Sequence, residues 1–176
     1  QAQSVPVRPV PGLFKLFLGP AAWLWKACVA WRKQRAGKRK VRLATPVVSV
    51  GGISLGGSGK TPFVLWLARR LSEQGLRPAI LTRGYRRSSP EKITLLEPGA
   101  SAPVARTGDE AQILVRSAVA PVGIGRDRAA VARAMEERFH PDVFLLDDGF
   151  QHWWLDRDLD IVLIDALDPW GGGSVF

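Results

Sequence analysis

A chain of 176 residues has room for one sizeable hydrophobic core and too little for two large ones. Hydrophobic residues make up 46% and charged residues 23%, the proportions of a globular protein, with no repeat and no low-complexity tract. A lone cysteine, Cys28, and the absence of any Cys/His cluster exclude a disulfide-stapled scaffold and a structural zinc site.

The net charge of +9 is concentrated near the start of the chain, where Arg32, Lys33, Arg35, Lys38, Arg39, Lys40 and Arg42 crowd together. Residues 13–31, just before them, are largely apolar and hold Trp23, Trp25 and Trp31. This stretch is only about the ~20 residues that a spanning helix needs, and Lys15, Gly19, Pro20 and Lys26 interrupt it. It reads as a helix lying in a membrane interface, with tryptophans at headgroup depth and the basic run against anionic lipid. A true span and an amphipathic helix packed on its own domain are competing readings. A signal peptide fits poorly, because the charges follow the apolar stretch. Nucleic acid is not an expected partner, because the aromatics do not interleave with the basic residues. Residues 1–44 are therefore expected to form a membrane-interface helix and basic arm, and residues 45–176 the catalytic body.

From Thr45 onward, short β-branched runs alternate with helical patterns. Strands are predicted at 46–50, 78–82, 92–96, 121–124, 143–146 and 161–164. Helices are predicted at 60–74, with Gly75 as its terminator, at 109–119 and at 126–139, and a loop over 98–108. Continuous apolar strands separated by helices predict an α/β fold, a parallel sheet covered on both faces. Ligands of such sheets bind beyond the C-terminal ends of the strands, where the conspicuous polar residues fall.

The first strand runs into Ser54-Leu55-Gly56-Gly57-Ser58-Gly59-Lys60-Thr61. This is a phosphate loop with Ser54 in place of the usual leading glycine. Gly56, Gly57 and Gly59 let the backbone curl its N–H groups toward a phosphate, and the helix start adds its positive end. Lys60 can reach the β- and γ-phosphates of ATP, and the Thr61 hydroxyl can bind Mg²⁺.

Carboxylates follow in a telling order. Thr107-Gly108-Asp109-Glu110 reads as a capping box between Thr107 and Glu110, which leaves Asp109 either an acid of the cap region or a general base. Asp127 in Gly125-Arg126-Asp127-Arg128 reads as a helix-start acid. The run Val143-Phe144-Leu145-Leu146-Asp147-Asp148 has the form of a Walker B strand ending in metal-binding acids. Two adjacent carboxylates repel, so a cation or an ordered positive partner is expected beside them. Gln151 and His152 are placed to orient phosphate or substrate. Arg83-Gly84-Tyr85-Arg86-Arg87 would either meet an anionic substrate or form a basic surface loop. Asp165, at the end of the last strand, either lines the site or closes a turn.

Taken in order, these motifs resemble those of the tetraacyldisaccharide 4′-kinases. The phosphate loop with its Pro62, the Leu81-Thr82-Arg83-Gly84-Tyr85 segment, Gly108-Asp109-Glu110, the Asp127-Arg128 pair and Asp147-Asp148-Gly149-Phe150-Gln151-His152 all match family elements. The resemblance implies a P-loop kinase that transfers the γ-phosphate of ATP to the 4′-hydroxyl of a tetraacylated glucosamine disaccharide. It implies work at the cytoplasmic face of the Gram-negative inner membrane, with a lipid A precursor and the anionic membrane surface as partners. It implies Asp109 as catalytic base, Lys60 and Thr61 on nucleotide and Mg²⁺, Asp147 and Asp148 at the metal and phosphate centre, and Arg83, Gln151 and His152 toward the substrate. Gly52 stands where the family usually has asparagine. The family also runs on for roughly as long again, with a histidine that pairs with the base. The sequence therefore reads as an N-terminal portion, expected to be inactive by itself. A membrane-bound NTPase switch is the alternative, and a membrane-interaction module with a relic nucleotide site a weaker one. Neither accounts for the kinase motifs together, and the oligomeric state stays open.

Overall fold

The computed structural model describes residues 40–52, 59–85, 87–88 and 90–166. They belong to one compact unit, Arg39–Ser174; the other unit is Gln1–Lys38 with Val175–Phe176. The helix expected over 13–31 and most of the phosphate loop, including Ser54, Leu55, Gly56, Gly57 and Ser58, lie outside the described residues. Among the described residues, no helix is long and apolar enough to cross a membrane.

Six strands form one sheet: β1 (Val47–Gly52), β2 (Pro78–Thr82), β3 (Ile93–Leu96), β4 (Val122–Gly125), β5 (Val143–Asp147) and β6 (Leu159–Leu163), in the spatial order β3-β4-β2-β5-β1-β6. The helices are α1 (Lys60–Glu73), a single turn α2 (Val104–Thr107), α3 (Asp109–Arg116) and α4 (Arg128–Phe139). All neighbouring strands are parallel except β3, which pairs antiparallel with β4. The expected parallel sheet is present, with one antiparallel strand at this edge. Among the described residues between β2 and β3 there is no helix to carry the chain back across the sheet, and β3 enters from the opposite end.

The central strands β2 and β5 are buried on both faces, which is why they read as nearly continuous apolar runs. On one face α1 and α3 lay Val64, Ala68, Ala111, Leu114 and Val115 against Val50, Ile80, Ile124 and Leu145. On the other, α4 lays Val131, Ala132 and Met135 against Ala79, Leu81, Phe144 and Leu146. Burying a side chain such as Phe144 or Leu146 contributes about 1.5–3 kcal/mol each. The strand Val122-Gly123-Ile124-Gly125 has glycine on the α4 side, and a Cβ at Gly123 would run into the Met135 sulfur and Val131. The missing side chains are what let α4 approach the sheet.

Local sequence fixes the ends of the elements. After α1, Gly75 takes φ +83, its N–H donates to Ser72 O (2.9 Å), and Leu76 N–H donates to Leu71 O (3.1 Å). This is a Schellman closure, which requires a left-handed residue at that point. At the opposite end of the sheet from the polar residues, Arg77 grips Asp142 bidentately (3.0 and 2.8 Å) and joins the starts of β2 and β5. That guanidinium holds the Asp142 carboxyl down to about 2.

Three expectations are revised. The loop over 98–108 contains α2. The helix begun at Asp109 stops at Arg116, and Ala118 turns to φ 54. The Thr107–Glu110 capping box does not form. Gly108 is the N-cap of α3 with no side-chain cap bond, and the Thr107 hydroxyl instead accepts from Gln112 Nε2 (2.7 Å). The cause lies at Gly108, whose φ of +83 and contact with the Tyr85 carbonyl turn the backbone away from the extended N-cap conformation.

The basic run is also partly spoken for. Lys40 and Arg42 pair with Asp156, and Arg42 also pairs with Asp158 (2.9 Å). Val41 bridges to Leu155 beside them. These two cations, expected to face anionic lipid, are held by acids of the same domain.

Two stability predictions follow from the packing. His140 closes α4 at φ 47, a left-handed position that costs a residue with a Cβ about 1–2 kcal/mol. His140→Gly should raise the urea midpoint, by about 1 kcal/mol in stability. Gly123→Ala should lower stability by about 1–3 kcal/mol through overpacking against Met135, read in the same titration.

Candidate active site

Register brings the polar residues to one level. Val50 of β1 lies opposite Asp147 of β5, Leu146 opposite Leu81 of β2, and Thr82 opposite Ile124 of β4. The chain leaves each of these strands at the same end, so the segments after β1, β2, β4 and β5 share one rim.

On the β1 side, Gly59 (φ 69) opens α1, and Lys60 and Thr61 are its first two residues. Both are partly buried. Lys60 Nζ lies 3.2 Å from Asp148 Oδ1. Asp148 follows β5 in the left-handed region at φ 53, where few residues other than glycine and asparagine sit, and a single 3₁₀ turn, Gly149–Gln151, begins there. The backbone turn thus carries the acid back toward the lysine of the neighbouring strand's loop. A Cβ at Gly149 would meet the Ser49 hydroxyl and Leu146, so this turn presses onto the sheet.

Asp147 ends β5 and is only 5% exposed. Burial first, then the charges of Asp148 and Glu110, pushes its carboxyl up to about 6, against the pull of Lys60 and Arg128. Glu110 and Asp109 are the first residues of α3, and both are exposed. The field of Glu110 at Asp147 places the start of α3 beside the tip of β5. Asp127 accepts from Ala130 N–H (3.1 Å) and caps α4, the helix-start role expected of it.

Beyond β2, Arg83 is exposed, while Arg87 donates to the carbonyls of Ile124, Glu91 and Lys92. Arg87 therefore stitches its loop to the sheet edge. Arg86 and the Gln151 side chain lie outside the described set. His152 closes the 3₁₀ turn partly buried, its Nε2 without a partner. Burial first, then the positive charge of Arg128, holds its imidazole down to about 4, with Asp127 opposing. Asp165 is exposed after β6, the far edge strand.

Two contributors entered the sequence reading only as members of matched motifs, with no role at the site assigned to them. Glu110 adds to the field on Asp147, although it reads only as a cap residue. Arg128 is 4% exposed and lies among these groups; burial first, then Arg83, lowers its guanidinium to about 10. An arginine opening a helix normally reads as surface, and nothing in its own neighbourhood of sequence marks it as buried.

The arrangement suits a cation and a polyphosphate. Among the described residues no three His, Cys, Asp or Glu side chains gather as a metal cage. Two adjacent acids at a strand tip, with a hydroxyl on the next strand's loop, fit Mg²⁺, which keeps waters and takes one or two carboxylates plus phosphate oxygens. Burial and the adjacent acids raise the Asp147 carboxyl, and a bound cation would draw it back down.

A mostly parallel sheet in which a glycine-rich sequence leads from β1 into a helix opening on Lys60-Thr61, with an acid-tipped strand paired beside it, defines an α/β domain of the P-loop NTPase class. Within that class the model of one family, Tetraacyldisaccharide-1-P 4′-kinase (LpxK), matches residues 14–176, and the chain belongs to this family. It is 41% identical over 167 residues to the tetraacyldisaccharide 4′-kinase of Thiobacillus denitrificans, covering 92% of this chain and 50% of the relative. The corresponding protein of Syntrophus aciditrophicus is 46% identical over 138 residues, covering 77% and 37%. The fold resembles a crystal structure of the "apo" form of Aquifex aeolicus LpxK in complex with ATP, with a TM-score of 0.77, 35% identity, and coverage of 88% of this chain and 50% of that one. The chain spans about half the length of the curated relatives it matches.

The elevated Asp147 gives a pH prediction. A carboxyl raised from 3.8 to about 6 favours the fold at low pH, and that stability is lost as pH rises through 6. With Mg²⁺ chelated, Asp147→Asn should be more stable than the parent at pH 7.5, by up to about 3 kcal/mol. The gain should shrink toward zero as the pH of the urea titration is lowered through 6 toward 4.

Proposed function

We propose that the intact protein transfers the γ-phosphate of ATP to the 4′-hydroxyl of a tetraacyldisaccharide 1-phosphate, a lipid A precursor. Family membership supports this reading, and one observation carries it: Lys60, at the start of α1, stands 3.2 Å from Asp148 at the tip of the adjacent strand. The contact sets side by side the phosphate-loop lysine, which serves the β- and γ-phosphates, and the Walker B acids, which serve Mg²⁺.

Lys60 neutralises the β- and γ-phosphates, and the glycine-rich loop 54–59 cradles them with backbone N–H groups. Thr61, Asp147 and Asp148 would hold Mg²⁺, which supplies charge neutralisation on the phosphate oxygens. Asp109, exposed at the start of α3, accepts the proton of the attacking hydroxyl. The hydroxyl oxygen bonds to the γ-phosphorus, the bond to the β–γ bridging oxygen breaks, and ADP leaves. Arg83, Gln151 and His152 orient the acceptor. The protein works at the cytoplasmic face of the Gram-negative inner membrane, where residues 1–44 engage the lipid surface. Because Lys40 and Arg42 are paired with acids, that contact rests on the residues before them.

Transfer of labelled γ-phosphate to tetraacyldisaccharide 1-phosphate in detergent micelles tests this directly. Consumption of ATP that does not depend on the acceptor would instead favour an NTPase switch. Lys60→Ala should weaken Mg–ATP binding at least tenfold, about 1.4 kcal/mol or more. Asp109→Ala should leave Mg–ATP affinity within about twofold while lowering transfer by about 10²–10⁴-fold. Near-normal turnover in Asp109→Ala would remove it from the role of base.

A further inference from the structure

The turn after β5 is held on three sides. Side chains alternate along β1, so Val50 faces α1 while Val47, Ser49 and Gly51 share the opposite face. On that face α4 lies over β2, β3 and β4, and the 3₁₀ turn Gly149–Gln151 lies over β1. The fit leaves no room for a side chain at two glycines. A Cβ at Gly51 would run into the Phe150 ring, and one at Gly149 into the Ser49 hydroxyl. The third hold is a charge. Arg157 Nη1 donates to the Gly149 carbonyl (3.1 Å), while its Nε lies 3.2 Å from Asp160 on β6.

Arg157 stands on a fixed base. Asp158 accepts from Val47 N–H (2.9 Å) and donates its own N–H to Val47 O (2.9 Å), and Asp156 N–H donates to Val41 O (2.8 Å). Between these anchors the Arg157 side chain is only 15% exposed. Neither end of its bond to the turn lacks another partner. Gly149 O already accepts from His152 N–H (2.9 Å), and the guanidinium already faces Asp160. What the bond adds is position, set by the rigid fork of the guanidinium.

Position matters because of the residue before Gly149. Asp148 sits at φ 53, a left-handed conformation that residues with a Cβ leave readily for the right-handed or extended regions. The β5 ladder fixes Asp148 from one side, and the turn fixes it from the other. With the turn released, its carboxylate would swing off Lys60, from which it now lies 3.2 Å.

We propose that Arg157 is a positioning residue of the metal centre. Through the Gly149 carbonyl it holds the Asp148 carboxylate where it can reach the Mg²⁺ of bound ATP. It acts through the backbone of the turn, not on the ligand. The proposal rests on the reading of Asp147 and Asp148 as Mg²⁺ acids.

The test measures Kd for ATP on the intact protein, once with excess Mg²⁺ and once in EDTA. Arg157→Ala should raise Kd with Mg²⁺ about tenfold, the worth of a hydrogen bond from a charged donor, and leave Kd in EDTA within about twofold. Arg157→Lys, which keeps the charge and a donor, should recover most of the loss. Asp160→Asn frees one side of the guanidinium and should raise Kd with Mg²⁺ by about twofold to threefold. Asp160 is exposed, so this variant folds even if Arg157→Ala does not. Equal losses with Mg²⁺ and in EDTA would overturn the proposal, by assigning Arg157 to the field on the phosphates. A lowered urea midpoint with both affinities unchanged would overturn it too, by leaving Arg157 a support of the fold alone. Either result spares the reading of the acids. A wild-type protein whose ATP affinity does not respond to Mg²⁺ sinks that reading and the positioning role with it.

Discussion

The ladder between β1 and β5 is the constraint on which the rest depends. With Val50 opposite Asp147, the strand that feeds the phosphate loop outruns the acid-tipped strand by two residues, and both open onto the same rim. A slip of one residue would turn every side chain of β5 to the other face, sending Asp147 into one of the apolar layers. The uninterrupted apolar run of β5 cannot by itself forbid that slip. The turn after it does: Asp148 in the left-handed region and Gly149 pressed against Ser49 and Leu146 lock the strand's end. The Lys60–Asp148 contact is the visible product of that lock.

Charge is distributed along the rim in keeping with this geometry. Acids at the tip of β5 face a lysine on one side and arginines on the other, and burial magnifies both sets of interactions. Asp147 is raised, Arg128 and His152 are lowered, and the first cause in all three is removal from water. Each group resists ionisation alone, so the rim tolerates its own charges best when oppositely charged ligands are present.

Much of this was legible in sequence because it rests on local rules. The β2 run Pro78–Thr82 lies where its pattern puts it, and the terminator at Gly75 works through backbone geometry that only glycine supplies cheaply. The phosphate-loop lysine and the paired acids announce themselves by residue type and order. The misses were matters of tertiary context. The antiparallel β3 depends on how the chain returns, which apolar periodicity does not encode. Thr107 has the spacing of a capping box, yet the packing of Gly108 on Tyr85 sends its hydroxyl to Gln112. Arg128 looks like a solvated helix start, and only the glycine faces of β4 reveal that it is drawn inward. The pairing of Lys40 and Arg42 with Asp156 and Asp158 joins residues more than a hundred positions apart, beyond any local signal.

That last clasp has a mechanical side. Val41 bridges to Leu155 while Arg42 straddles two acids at the entrance to β6, the edge strand next to β1. The chain therefore enters the domain moored at one flank of the sheet. Tension on the segment before Lys40 would be carried as shear along β6 and β1, not as a peeling force on the β2–β4 side. A domain tethered this way can be tugged about by its leading segment while the opposite flank of the rim keeps its shape.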